Sequence, residues 1–187
     1  IQAISAIELI NQKIDNIDHL NGEYIGQDVL INEALASKAY WNSVSQLLKN
    51  KVAYFGRNPN DQDIFNRLFN IGYHRLYATI WRALVLAGLN PNLGYLHHRK
   101  EQPSLVCDFI ESFRQPIVDR VVISLLRKKK KLDFTKSPAA LNAQIYLAVE
   151  DQLNKKIRYN TGELSFSVII NADARHLARY VLGADDY

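Results

Sequence analysis

Methionine is missing from all 187 residues, the initiator position included, and cysteine occurs once, at Cys107. The first absence, with a chain that opens in mid-helix pattern at Ile1, reads as a fragment or as methionines lost as modified residues. The second excludes an internal disulfide framework and fits a reducing compartment, so the cytoplasm is expected. No apolar run approaches the roughly 18 residues that a membrane helix needs, and no signal-peptide pattern opens the chain. Internal repeats are absent as well. Sustained apolar–polar alternation is nearly absent, and only Phe166, Val168 and Ile170 hint at a strand.

What remains is an ordinary globular composition. The apolar fraction is 48% and the charged fraction 22%, which excludes a disordered chain and allows one good core. The net charge of +4 is unevenly placed. Residues 1–126 carry twelve Lys and Arg against twelve Asp and Glu, whereas residues 127–187 carry eleven against seven. The surplus is led by Arg127-Lys128-Lys129-Lys130-Lys131. Such a cluster either neutralises phosphates of a nucleic acid or ends a helix in solvent.

Helical spacing dominates. Ile4, Ile7, Ile10, Ile14 and Ile17 predict a first helix to about His19, broken by Asn21-Gly22 and Gly26. A second is expected from about Val29 to Lys49, burying Ala36, Tyr40, Val44, Leu47 and Leu48. After the turn Phe55–Asn60, Asp61 or Asp63 caps a long helix that buries Ile64, Leu68, Ile71, Ile80, Leu84 and Ala87. It stops at Gly88, with Pro91 beyond. A second stripe on that helix, Asn66, Asn70, Tyr73 and Tyr77, predicts a polar network or the wall of a wet cleft. Pro103 opens the next helix, and Pro116 should kink or split it. A linker over Lys131–Ser137, a helix from Pro138 to about Ile157, a turn at Asn160-Thr161-Gly162 and a last helix from Leu164 to Leu182 complete an all-α domain.

Chemistry concentrates between Gly88 and Arg120. Asp108 and Glu111, three apart, project from one helix face, and His97 lies just upstream on a loop. An imidazole and a carboxylate from adjoining segments hold a divalent cation once a third ligand arrives. Taken singly, these features are ordinary: His97-His98 as a surface pair, Asp108 and Glu111 as a solvated face, Glu33 as a complement to a helix dipole. Tyr40, Trp41 and Trp81 read as core aromatics, and Cys107 as a small hydrophobe.

Taken together they resemble the helical catalytic domain of the CRISPR-associated integrase that inserts new spacers into CRISPR arrays. Four motifs carry the resemblance, in order. Glu33-Ala34-Leu35-Ala36-Ser37-Lys38-Ala39-Tyr40-Trp41 comes first. Arg57 with Asp63, Asn66, Leu68, Asn70 and Tyr73 comes second. Gly88-Leu89-Asn90-Pro91-Asn92-Leu93-Gly94-Tyr95-Leu96-His97 is the third. Ser104, Leu105, Asp108, Glu111, Phe113 and Arg114, with Asp119 one place late, form the last. Ala34 replaces the family's Gly, Asn90 an Asp, and His98 an acid. The similarity starts near Lys13 and fades beyond Leu126.

The resemblance implies one helical catalytic domain over residues 1–187, the family's amino-terminal β-sandwich being absent from it. It implies that Glu33, His97 and Asp108 together bind one Mn²⁺ or Mg²⁺, with Glu111 orienting a ligand or a metal-bound water. The implied activity is metal-dependent DNA integrase and endonuclease chemistry, joining 3′-hydroxyl ends of a foreign fragment to the CRISPR array. Arg57, Arg99, Lys100, Arg114, Lys128 and Lys129 are candidate contacts to the backbone of double-stranded DNA. Implied partners are a small ferredoxin-like adaptation protein and a second copy of the chain, the latter through the β-sandwich. Two other readings stay open: a related mobile-element integrase, or a non-catalytic helical scaffold that binds DNA without regard to metal.

Overall fold

A computed structural model describes residues 22–49, 56–60, 63–96, 102–128, 137–160 and 162–184, with side chains described from residue 29 onward. The chain divides into two compact units, Ile1–Asn58 and Pro59–Tyr187. The helix expected before His19 and most of the expected linker lie outside the described residues.

The first unit contributes α1, Gly22–Leu48. It starts earlier than predicted, at Gly22, and runs through Gly26. A glycine inside a helix costs about 1 kcal/mol relative to alanine but still donates and accepts in the hydrogen-bond ladder, so Gly26 does not end it. Val44 and Leu48 are buried, and Ala36 and Tyr40 are half-buried. Leu47, expected inside, is 48% exposed: it lies on the Tyr40 edge of the stripe, a full helical step from fully buried Leu48. The Tyr40 and Trp41 rings meet edge to face at 5.0 Å.

The second unit is built around α2, Ile64–Leu86. Asp63 caps it: one carboxylate oxygen accepts from the N–H groups of Phe65 at 2.9 Å and Asn66 at 3.0 Å. At the other end Gly88 adopts φ +83°, and the Leu89 N–H returns to the Leu84 carbonyl at 3.0 Å. That left-handed residue closes the helix where the sequence predicted it. Leu68, Phe69, Leu76, Ile80 and Leu84 are fully buried. Ile64, Ile71 and Ala87 flank this stripe and are half-buried.

Around α2 pack α3 (Ser104–Phe113), a π-helical turn (Arg114–Asp119), α4 (Arg120–Arg127), α5 (Pro138–Asn154) and α6 (Phe166–Val181). Pro116 neither breaks nor sharply divides the chain. It lacks the N–H that would complete an α-turn to Ser112, and the helix widens to π spacing over six residues before resuming. Its carbonyl accepts from Gln152 Nε2 of α5 at 2.9 Å. Close approach to α2 is possible here because of Gly72, where a Cβ would lie 2.5 Å from Val118 Cγ1.

Ser137 caps α5, with Pro138 in the first turn, and Leu141, Ile145, Val149 and Leu153 form its buried line. Leu147, off that line, is 62% exposed. Strands β1 (Lys156–Tyr159) and β2 (Gly162–Ser165) then form an antiparallel hairpin, Lys156 opposite Ser165 and Tyr159 opposite Gly162. Asn160, at φ +51°, turns it. The alternation of Ile157 and Tyr159 is too short to register as a strand from sequence, so the preceding helix was drawn too long. Conversely, Phe166, Val168 and Ile170 do not alternate in a strand. Phe166, Ile169, Ile170, Ala174 and Leu177 are buried at helical spacing on α6, and Val168 is exposed. The fold class is all-α, with this hairpin the one sheet among the described residues. No helix among them is long and apolar enough to cross a membrane.

Candidate active site

The loop leaving α2 is shaped by side chain–backbone bonds. Asn90 Oδ1 accepts from the Asn92 N–H at 3.0 Å, an Asx turn that Asn makes as well as the Asp it replaces in the motif. From Pro91 to Leu96 the loop runs against the first turns of α3. The Leu105 N–H donates to the Pro91 carbonyl at 3.0 Å. The Ser104 hydroxyl donates to the Asn92 carbonyl at 2.7 Å and accepts from the Gly94 N–H at 2.8 Å. Asp108 Oδ2 then accepts from the N–H groups of Tyr95 at 2.7 Å and Leu96 at 3.1 Å. Ser104 and Asp108 are buried, at 5% and 6% exposure. A Cβ on Gly94 would stand 2.5 Å from Asp108 Oδ2 and 2.6 Å from the Ser104 carbonyl carbon, so only glycine lets the loop lie this close.

The remainder of α3 and the π turn carry a second polar group. Glu111 pairs with Arg114 at 2.5 Å, and the Arg114 guanidinium lies over the Tyr73 ring, 5.4 Å from its centre. Tyr73 donates its hydroxyl to Asp119, which is 2% exposed. Asn66 Nδ2 donates to Asp63, and Asn70 Nδ2 to the Pro59 carbonyl at 3.0 Å. Tyr77 lies beside the Trp81 ring at 6.3 Å. Burial raises its phenol above the ordinary value, and the nearby Cys107 adds to this. Three members of the polar stripe of α2, Asn66, Asn70 and Tyr73, are therefore hydrogen-bonded to partners beyond the stripe. Trp81, expected in the core, is exposed, whereas Cys107 is half-buried.

Of the residues singled out in the sequence, Asp108 and Glu111 share α3 in the second unit, with Asp108 the more deeply buried. Glu33 is half-buried on α1 of the first unit, which also holds Arg57. His97, Arg99, Lys100 and Lys129 lie outside the described residues. Lys128 is exposed at the end of α4. Among the described residues no three of His, Cys, Asp and Glu cluster to hold a metal. Sequence reasoning missed Ser104 and Gly94 as parts of the site. Both stood inside the quoted motifs, but spacing along a chain does not show which hydroxyl meets which amide across a loop.

The family model for CRISPR associated protein Cas1 matches residues 2–156, past the point where the motifs fade. A CRISPR-associated endonuclease Cas1 of Archaeoglobus fulgidus is 30% identical over all of this chain and 59% of its own length. One from Francisella tularensis subsp. novicida is 31% identical over all of this chain and 57% of its own. A Saccharolobus solfataricus relative reaches 42% over 54% of this chain and 30% of its own. The chain thus spans at most about three-fifths of these relatives. Among solved structures, a casposase bound to integration product superposes with a TM-score of 0.79 at 25% identity, over 87% of this chain and 49% of that one. A Cas1 protein from Thermotoga maritima gives 0.74 at 17% identity, over 96% and 59%, and shares the fold. With the motifs in order, the model matching most of the chain and the fold in common, this chain belongs to the Cas1 family of CRISPR-associated proteins.

Proposed function

We propose that this chain is the helical catalytic part of a Cas1 integrase of CRISPR adaptation. In this reading it joins the 3′-hydroxyl ends of a foreign double-stranded DNA fragment to the CRISPR array by phosphodiester transesterification. The same site cuts DNA when water replaces the hydroxyl. The observation that supports it most is Asp108, a buried carboxylate aimed by two main-chain amides of the segment that leads directly into His97.

Glu33, His97 and Asp108 would hold one Mn²⁺ or Mg²⁺. Their donor chemistry fits: two hard carboxylates and one imidazole suit these ions better than zinc, and the Asp108 carboxylate is already fixed in orientation. Bound there, such an ion polarises a phosphoryl oxygen and offsets the charge of in-line displacement. The protein's part is positional. Arg57, Arg99, Lys100, Arg114, Lys128 and Lys129 contact phosphates, which places the DNA without reading bases. Glu111, paired with Arg114, supports the ligand beside it on α3. The attacking oxygen comes from DNA or water, so no covalent protein intermediate forms. A small ferredoxin-like partner, a second copy of the chain and a cytoplasmic location belong to the same reading.

Strand transfer in Mn²⁺ tests it. Glu33→Ala, His97→Ala and Asp108→Ala should each abolish product; product surviving all three changes rejects the site. The likeness to a casposase bound to integration product keeps a second reading, a mobile-element integrase of the same chemistry. Preference for terminal inverted repeats over CRISPR repeats would select it.

A further inference from the structure

We propose that Ser104 is a positioning residue of the metal site, holding the 92–96 segment so that its amides aim the Asp108 carboxylate. This rests on the metal-binding reading above and extends it to residues outside the proposed ligand set. Ser104 is buried, and its hydroxyl is engaged on both sides: it donates to the Asn92 carbonyl and accepts from the Gly94 N–H. Those two bonds fix the loop on either side of Leu93. The next two N–H groups, Tyr95 and Leu96, fall on a single oxygen, Asp108 Oδ2. A carboxylate accepting two amides is charge-assisted and directional, so its plane follows the loop. Gly94 completes the device, since a side chain there would enter the space that Asp108 Oδ2 occupies.

The arrangement acts on one ligand directly. It orients Asp108, and it sets where the backbone stands at Leu96, one residue before His97. Removing the Ser104 hydroxyl leaves Asp108 chemically intact but frees the segment that aims it. Groups that orient ligands in this way typically change metal affinity by about 10–100-fold.

The test uses the whole chain, Mn²⁺ alone as probe, and the variants Ser104→Ala, Ser104→Thr and Gly94→Ala. Metal-free amide exchange, Mn²⁺ calorimetry and urea unfolding are read on each. Ser104→Ala should speed exchange at Gly94, Tyr95 and Leu96 and weaken Mn²⁺ binding about 10-fold. Ser104→Thr, which keeps the hydroxyl, should restore both. Gly94→Ala should weaken Mn²⁺ binding although Ser104 is intact, which covers the case of Ser104→Ala failing to fold. Wild-type Mn²⁺ affinity in folded Ser104→Ala or Gly94→Ala overturns the positioning role alone. No Mn²⁺ binding by the wild-type chain overturns the metal reading and this role with it.

Discussion

Asp108 and Asp119 are both buried on one continuous run of helix, yet they are held by different kinds of partner. Asp108 is gripped by the main-chain amides of Tyr95 and Leu96, from a loop that arrives from α2. Asp119 takes the hydroxyl of Tyr73, a side chain of α2 itself, at a point where Gly72 lets the helices nearly touch. Amides are available in any sequence, so the Asp108 grip depends on the path of the loop and on Ser104 and Gly94, which set that path. The Asp119 grip depends on the identity of one tyrosine and on tight packing. The first arrangement orients a carboxylate, and the second cements the helix pair. Substitutions at the Asp119 end should therefore lower stability and spare metal binding, whereas those at the Asp108 end should lose metal binding whatever they cost in stability.

Gly72→Ala should lose stability and nothing else. Its Cβ would meet Val118 Cγ1 at 2.5 Å beside Asp119, with Val149 behind, and overpacking of this kind costs about 1–3 kcal/mol. Urea unfolding reads the loss, and Mn²⁺ titration of the folded variant should be unchanged. A fall in affinity would mean that the two ends are mechanically coupled, and the comparison fails.

Next come the two substitutions of Asp108. Alanine removes the acceptor of two buried amides and should cost about 1.5–3 kcal/mol, as loss of hydrogen bonds to a charged group does. Asparagine keeps one oxygen for those amides and should cost less than about 1 kcal/mol. Both should lose Mn²⁺ binding. A large stability loss in Asp108→Asn would show that the negative charge, not the acceptor, holds the loop. Tyr73→Phe removes one hydrogen bond to a buried carboxylate, about 1.5 kcal/mol, and should leave Mn²⁺ affinity alone.

The same contrast explains what the sequence made legible. The Gly88 stop follows from short-range rules and was readable, the cap was narrowed to Asp61 or Asp63, and of the buried line of α2 Leu68, Ile80 and Leu84 were readable while Phe69 and Leu76 were not. The polar stripe was readable: Asn66, Asn70 and Tyr73 recur at helical spacing, and satisfied polar groups were its simplest reading. The grip on Asp108 was not readable, because main-chain amides carry no residue signature. The resemblance named Asp108, but no rule of spacing could pair it with Tyr95 and Leu96. At the carboxy-terminal end, four-residue strands left too little alternation to separate Ile157 and Leu164 from the helices beside them. Pro116 was legible as a disturbance only. Whether a helix widens or breaks at a proline depends on partners such as Gln152, which sit far away in the chain.

The smallest effect belongs away from both carboxylates, where β1 meets α6. Tyr159 donates to Asp173 at 3.4 Å, a long and weak bond. Burial raises the Asp173 pKa above the ordinary carboxylate value, against the lowering effects of Tyr159 and His176. The folded state therefore favours the protonated acid. Its contribution to stability is greatest below the unfolded pKa of about 3.9 and falls as pH rises through the raised folded value, staying flat above it. Asp173→Asn removes that fall, so the variant should gain on the wild type across this acid window and keep a constant margin at neutral pH. Tyr159 is raised above its ordinary value chiefly by the Asp173 charge, so in the same variant its phenol should titrate closer to normal. Urea midpoints between pH 3 and 7 check the first shift, and ultraviolet titration of the phenol checks the second. Parallel curves for the two proteins would show that Asp173 is solvated as freely in the fold as in the open chain. The hairpin would then be a surface attachment that places no electrostatic demand on α6.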